Sequence, residues 1–217
     1  MFDRHRQLVE SLEGLDRDQK EFLYSALNVH GHVCGGMPLG YAAGLAALRA
    51  LGIERERNMD TQVVLELGDA HAAGCVADGV QFATGATFGK GCMRKDPKGK
   101  WAFTVIHKPS GQAVRVRIRN EVLDKAFAAP FITEYRLKGV KPTDIPAEVA
   151  DPGLRRPFAA RPEDLFIVEG PFAVEIPKVK PCFERVTCSA CGATVAENYI
   201  RHAEGKPYCV DCTPYGG

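Results

Sequence analysis

The sequence predicts an α+β fold, with helices packed against a mixed or antiparallel sheet, followed by a small four-cysteine zinc finger. Three observations carry this. An Ala- and Leu-rich run follows Gly35-Gly36, two apolar-alternating stretches flank Lys108-Pro109-Ser110-Gly111, and two Cys-x-x-Cys hooks stand late in the chain. A length of 217 residues suits one moderate core plus an appendage. The boundaries expected are a core domain over 1–176 holding a His/Cys cleft, a hinge linker over 177–187 and a zinc finger over 188–217.

A net charge of +1 creates no field that would gather nucleic acid or anionic lipid. No apolar run is long enough to cross a membrane. The opening stretch, MFDRHRQLVESLEG, is charged throughout and lacks the apolar core of a signal peptide. The expected compartment is the cytoplasm, with neither membrane nor nucleic acid as a partner.

Residues 1–28 read as helical. Asp16 can cap a helix that places Phe22, Leu23, Ala26 and Leu27 on one face. His5 reads as a solvated side chain. The stretch His30 to Gly44, HGHVCGGMPLGYAAG, then concentrates the reactive groups. His30, His32 and Cys34 fall at every second position, and a helix runs from the glycines to Leu51 with Pro38 in its first turn. Cys34 stands just before that helix, where unpaired N–H groups favour a thiolate. Gly36, Gly40 and Gly44 recur every four residues, a stripe that lets another backbone approach or leaves room for a ligand.

Thr61–Leu67 is β-branched and aliphatic and reads as a strand. A helix is expected over Gly74–Thr84, with Val76, Val80 and Ala83 on one side and Gly85 ending it. It puts Cys75 in its first turn, a second cysteine at a second helix start. Thr84–Lys100 reads as a loop, and Gly89-Lys90-Gly91 within it lacks the spacing of a phosphate loop. Trp101–His107 and Gln112–Ile118 form a hairpin, whose second strand alternates Arg115, Arg117 and Arg119 with apolar residues. That basic face is a solvated surface or a groove for an acidic ligand. Glu121–Lys138 is expected to be helical with a break at Pro130. Five prolines between Val140 and Pro162 predict an irregular, extended connection, and Leu165–Ile176 a closing strand.

Eight cysteines, closely paired and without an export signal, point to metal or thiol chemistry rather than disulfides. Cys188-Ser-Ala-Cys191 and Cys209-Val-Asp-Cys212 are separated by 17 residues, the spacing of a four-cysteine zinc site. Each hook turns two thiolates toward one ion, and four thiolates close the site to substrate. Zinc there is structural, supplying folding free energy that so short a segment cannot bury. Cys182 and His202 are surplus to it. Arg201, His202 and Lys206 are balanced by Glu197, Glu204 and Asp211, so docking onto protein is favoured over DNA.

The segment HGHVCGGMPLGYAAG resembles the H-G-H-x-C-P-G-x-x-x-G signature of the E-subunit family of formylmethanofuran dehydrogenase. GCVADGVQFATGATFGKG and DPKGKWAF resemble that family's later motifs, in the same order. The tail unit resembles the treble-clef zinc finger that many members carry. Gly35 stands where the family has proline, and Ala86 where a cysteine is common, with Cys92 nearby as a substitute. The resemblance implies an α+β core, a homodimer, a metal in or near the His/Cys cleft, and association with one-carbon metabolism and molybdenum or tungsten enzymes, one of which would be the protein partner.

Three functions follow. In the first, a metal-binding accessory or subunit protein, His32, Cys34 and Cys75 ligate a second transition metal (zinc, nickel or iron), with His30 as further ligand or support. Asp78 would orient a ligating histidine. In the second, Cys34 or Cys75 acts directly as a redox pair or nucleophile, and Lys90 or Lys100 holds an anionic substrate. For this reading the nearest base and orienting acid in the sequence are His71 and Asp69. In the third, the chain is a zinc-finger interaction module without a metal in its core.

Overall fold

The computed structural model describes residues 2–69, 73–176 and 181–215. It divides into two compact units, Met1–Glu175 and Ile176–Gly217. No described helix is long and apolar enough to cross a membrane.

The first unit opens with α1 (Phe2–Glu10), α2 (Arg17–His30) and α3 (Gly36–Leu51). The helical stretch expected over 1–28 is interrupted and restarts at Asp16. There Gln19 N–H donates to the Asp16 carboxylate at 2.8 Å, and Asp16 N–H donates to Gln19 Oε1 at 3.2 Å. This reciprocal cap satisfies two of the amides a helix start leaves unpaired. His5 is not solvated. Its ring is 2% exposed and its Nδ1 lies 2.8 Å from Asn28 Oδ1, because packing α1 on α2 encloses it.

After α3 come β1 (Thr61–Leu65), α4 (Gly74–Thr84), β2 (Met93–Lys95), β3 (Ala102–His107), β4 (Gln112–Ile118), α5 (Asn120–Phe127), α6 (Ala147–Ala159) and β5 (Phe166–Ala173). The strands form one sheet in the order β2-β1-β3-β4-β5. β1 and β2 are parallel and the other pairs antiparallel, so the sheet is mixed and the unit is α+β. Val63, Val105 and Val114 lie in register, as do Leu65, Phe103 and Val116, and all six are buried. They form the sheet's side of a core shared with Leu39, Ala43, Val76 and Val80 of α3 and α4.

The helix expected over Glu121–Lys138 is broken into α5, a π-helical turn at Phe131–Tyr135 and a 3-10 turn at Arg136–Lys138. The extended connection expected over Val140–Pro162 is mostly α6, with Pro152 and Pro157 inside it. Each proline removes one ladder hydrogen bond and costs about 3 kcal/mol in a helix interior. Burial of Ala150, Leu154 and Pro157 offsets that cost, and tertiary packing overrides the local signal.

The second unit holds two hairpins. β6 (Arg185–Thr187) pairs with β7 (Thr194–Ala196), and β8 (Arg201–Ala203) pairs with β9 (Lys206–Tyr208). The expected linker therefore gives up its last three residues to β6, while 177–180 lie outside the described residues. Among the described residues of this unit only Cys188, Ile200, Ala203 and Cys209 are buried.

Candidate metal centres

The stripe of glycines on α3 serves helix packing. A Cβ on Gly40 would stand 2.2 Å from the carbonyl oxygen of Val76 on α4, and one on Gly79 would stand 2.0 Å from that of Met37. Neither space admits a methyl group, so the two helices cross backbone to backbone. This brings their first turns together: a Cβ on Gly36 would lie 2.9 Å from the Cβ of Cys75. From the α6 side, Gly153 presses on Gly35, where a Cβ would meet the Gly35 Cα at 3.1 Å. α2 ends at His30, and the short turn after it carries His32 and Cys34 to the same place. The ligand atoms of His30, His32, Cys34 and Cys75 all lie within 4.8 Å of one another.

Asp78, one turn along α4 from Cys75, accepts from His30 Nδ1 at 2.7 Å. That fixes the ring and aims Nε2 at Cys34 Sγ, 3.5 Å away. Burial lowers the His30 pKa, but the Asp78 carboxylate and Cys75 outweigh it and raise the imidazole to about 9. The two thiols part company. Cys34 donates to Cys75 and is deeply buried, so its pKa is driven up, against the pull of the Met37 and Gly36 amides. Cys75 accepts from Cys34, then from His30 and His32, and is driven far down despite its own burial. The helix-start argument places the thiolate on Cys34; the structure places it on Cys75, because burial and the shared proton outweigh two backbone amides.

The donor set fits a transition metal. A tetrahedral ion with metal–sulfur and metal–nitrogen bonds near 2.3 and 2.0 Å has a sulfur-to-nitrogen edge of about 3.5 Å. The Cys34–His30 separation matches it. Asp78 behind His30 is the carboxylate support that a metal-bound imidazole usually carries. Cys34 is buried, while His30, His32 and Cys75 are only partly so, which leaves one side of the cluster accessible.

Other residues singled out in the sequence lie elsewhere. Lys100 Nζ reaches Glu66 at 4.0 Å, and Lys90 acts electrostatically on Glu56. Neither belongs to the His/Cys cluster. Cys92 and Ala86 are both buried in the core between sheet and helices, and Cys92 donates to the Lys90 carbonyl at 3.7 Å. Asp69 pairs with Lys95 at 2.9 Å, and His71 lies outside the described residues. The base and acid that sequence proximity offers as His71 and Asp69 are met instead by His30 and Asp78. The basic strand face is largely neutralised: Arg115 clamps Glu66 through Nε and Nη2 at 2.5 and 3.0 Å, and Arg115 and Arg117 both reach Glu169.

In the second unit the sulfurs of Cys188, Cys191, Cys209 and Cys212 also lie within 4.8 Å of one another. Cys191 and Cys209 are 4.0 Å apart, against an edge of about 3.8 Å for a tetrahedron of 2.3 Å bonds. The first hook closes through Gly192 N–H to the Cys188 carbonyl at 3.0 Å, and Cys209 N–H donates to Cys188 Sγ at 3.3 Å. Amides of Cys191 and Cys209 hold the Cys188 pKa down, while hydrogen bonding to Cys209 and Cys191 pushes Cys212 up. Four sulfurs so placed can hold a metal ion such as zinc.

A family model described as "FmdE, Molybdenum formylmethanofuran dehydrogenase operon" matches residues 29–163, more than half of the chain. A protein of Archaeoglobus fulgidus described as a "Probable S-adenosyl-L-methionine-binding protein" is 28% identical over 183 residues, covering 78% of this chain and 47% of its own length. The chain thus spans about half the length of that relative. The fold matches the crystal structure of an FmdE-like protein of tungsten formylmethanofuran dehydrogenase from Syntrophus aciditrophicus, with a TM-score of 0.59 and 20% identity over 89% of this chain and 91% of the other.

Proposed function

The chain belongs to the FmdE family, and from that premise we propose that it is a metal-binding accessory or subunit protein with two metal sites. The four tail cysteines hold a structural zinc. His30, His32, Cys34 and Cys75 hold a second transition metal in an open site. One observation carries the second site: three separate pieces of chain bring two imidazoles and two thiols within 4.8 Å, with a carboxylate steering one of the imidazoles.

A metal there would supply Lewis acidity toward a ligand on the accessible side. The chain's own residues do the rest. Asp78 holds His30 by Nδ1 and keeps Nε2 directed inward, Cys34 anchors the buried side, and Cys75 provides the ready thiolate. The family's description places such a protein beside molybdenum or tungsten enzymes of one-carbon metabolism. We extend the proposal to a homodimer that docks on such an enzyme.

Metal analysis of the purified chain tests this. Two equivalents are expected, one lost in Cys34→Ala or Cys75→Ala and the other in Cys188→Ser. A single equivalent that survives Cys34→Ala and vanishes in Cys188→Ser would overturn the core site. Light scattering tests the dimer.

The 3.5 Å Cys34–His30 contact backed by Asp78 also supports a second reading, a thiol nucleophile with base and orienting acid. Under that reading, metal-stripped protein alkylates unusually fast at one core cysteine and turns over substrate without metal.

A further inference from the structure

The far end of α2 borders a pocket of about 570 Å³, enclosed by α2, α3 and the segment that follows α3. Its polar lining includes Arg17, Arg49, Arg55 and Arg57, and none of the four makes an ion pair with a described residue. Arg55 is the informative one. It is half-buried, lies flat over the Phe22 ring at 3.6 Å, and spends its Nε on the Phe82 carbonyl at 2.8 Å. Stacking and one carbonyl orient the guanidinium but leave its charge without a counterion. Burial and the positive charge of Arg57 both pull its pKa down, as expected of an uncompensated cation.

Three carboxylates also line the pocket. Asp16 is committed to the helix cap, and Asp18 and Glu54 are exposed and bridge to none of the arginines. The opposite wall is apolar, with Phe22, Leu45, Leu48 and Ile53. Tyr41 fixes the floor by donating to the Gln19 carbonyl at 2.7 Å.

We propose that this pocket binds a small phosphomonoester, its phosphate held by the guanidinium groups of Arg55, Arg57 and Arg49 and its organic body against Phe22, Leu48 and Ile53. Guanidinium forks match phosphate oxygens, and several forks converging from different sides favour a dianion over a planar carboxylate. The volume falls in the range of small-ligand sites. The pocket is separate from the His/Cys cluster: Arg17 and His30 stand at opposite ends of α2, about 20 Å apart along a helix rising 1.5 Å per residue.

The test is a titration of the full chain with phenyl phosphate, followed by amide NMR shifts and calorimetry. Saturable one-to-one binding is expected, with shifts at residues 17–22 and 53–57. Inorganic phosphate should bind more weakly, and phenol should not bind. Arg49→Gln and Arg57→Gln remove exposed side chains, so folding is preserved, and each should weaken binding about tenfold. Absence of saturation at about 10 mM, weaker than any useful affinity, would overturn the proposal. So would shifts centred on His30 and Cys75, or unchanged affinity in the double variant.

Discussion

Gly40→Ala tests the claim that helix crossing builds the core cluster. The added methyl would stand 2.2 Å from the Val76 carbonyl oxygen, 2.8 Å from its Cα and 2.9 Å from its carbonyl carbon. All three are backbone atoms, so no side-chain rotation relieves the clash. A carbon and a carbonyl oxygen approach to about 3.3 Å at closest, so α3 and α4 must part by roughly 1 Å. Alanine favours a helix over glycine by about 1 kcal/mol. Overpacking costs about 1–3 kcal/mol, and the upper end applies to an immovable backbone contact. The net loss is about 2 kcal/mol, or about 4–8 °C in Tm for a unit of this size. Metal bonds tolerate only about 0.2 Å, so Cys75 leaves the reach of an ion held by Cys34 and His30. Elemental analysis and calorimetric melting give the readout: one metal equivalent lost, the tail's retained, and Tm lowered. Gly89→Ala is the control, since nothing lies within 4 Å of its added Cβ. Two equivalents and an unchanged Tm in Gly40→Ala would refute the reasoning.

Asp78→Asn should leave the fold intact and weaken metal binding in the core cluster about 10–100-fold, measured by competition with a chromophoric chelator. His5→Ala removes a buried ring and strands the Asn28 amide; it should cost about 3 kcal/mol in urea unfolding. Glu66 is held below the usual carboxylate range by Arg115, against its own burial. A depressed folded pKa contributes stability above the unfolded value near 4.3 and loses it as pH falls through the folded value. Arg115→Met should therefore cost about 3 kcal/mol at pH 7, and its deficit relative to the native chain should shrink in melts as the pH falls from about 5 to 3. Chelation, or Cys188→Ser, should unfold the second unit and spare the first, read as loss of its amide dispersion in NMR spectra.

What was legible in the sequence is what spacing alone encodes. The two hooks of the tail are local turns, and each pair of thiolates is near by construction. The α3 and α4 boundaries followed from glycine and apolar periodicity, and Asp16 from its place before the run of α2. Proximity of Cys34 and Cys75 is another matter. Gly36, Gly40 and Gly44 signal that some backbone comes close, but not which one; Gly79 is the matching half, and its role appears only once α4 is laid against α3. The charge within the pair was equally hidden, since helix-start amides act on Cys34 while depth of burial, a tertiary quantity, works against them. Pro152 and Pro157 forbid a helix by every local rule, and α6 forms because Ala150 and Leu154 have a core to enter. Alternating arginines were plain in β4, whereas Glu66 and Glu169 became their partners only through strand register.

The two cysteine-bearing clusters rest on opposite physical footings. In the tail, two of the four buried residues are themselves thiol donors, and almost nothing apolar stands behind them. An ion there substitutes for a hydrophobic core, and its departure removes the fold. In the first unit, glycine-to-backbone contacts, the Asp78–His30 bond and a buried Cys34 place the four donors before any ion arrives. Folding free energy from the sheet and helices holds that geometry, so the ion contributes little to the fold. A site paid for by the scaffold can leave a coordination position open and exchange its ligand there without unfolding. A site on which the fold depends must stay closed. That difference, rather than the identity of the donors, assigns chemistry to His30, His32, Cys34 and Cys75 and structure to the hooks.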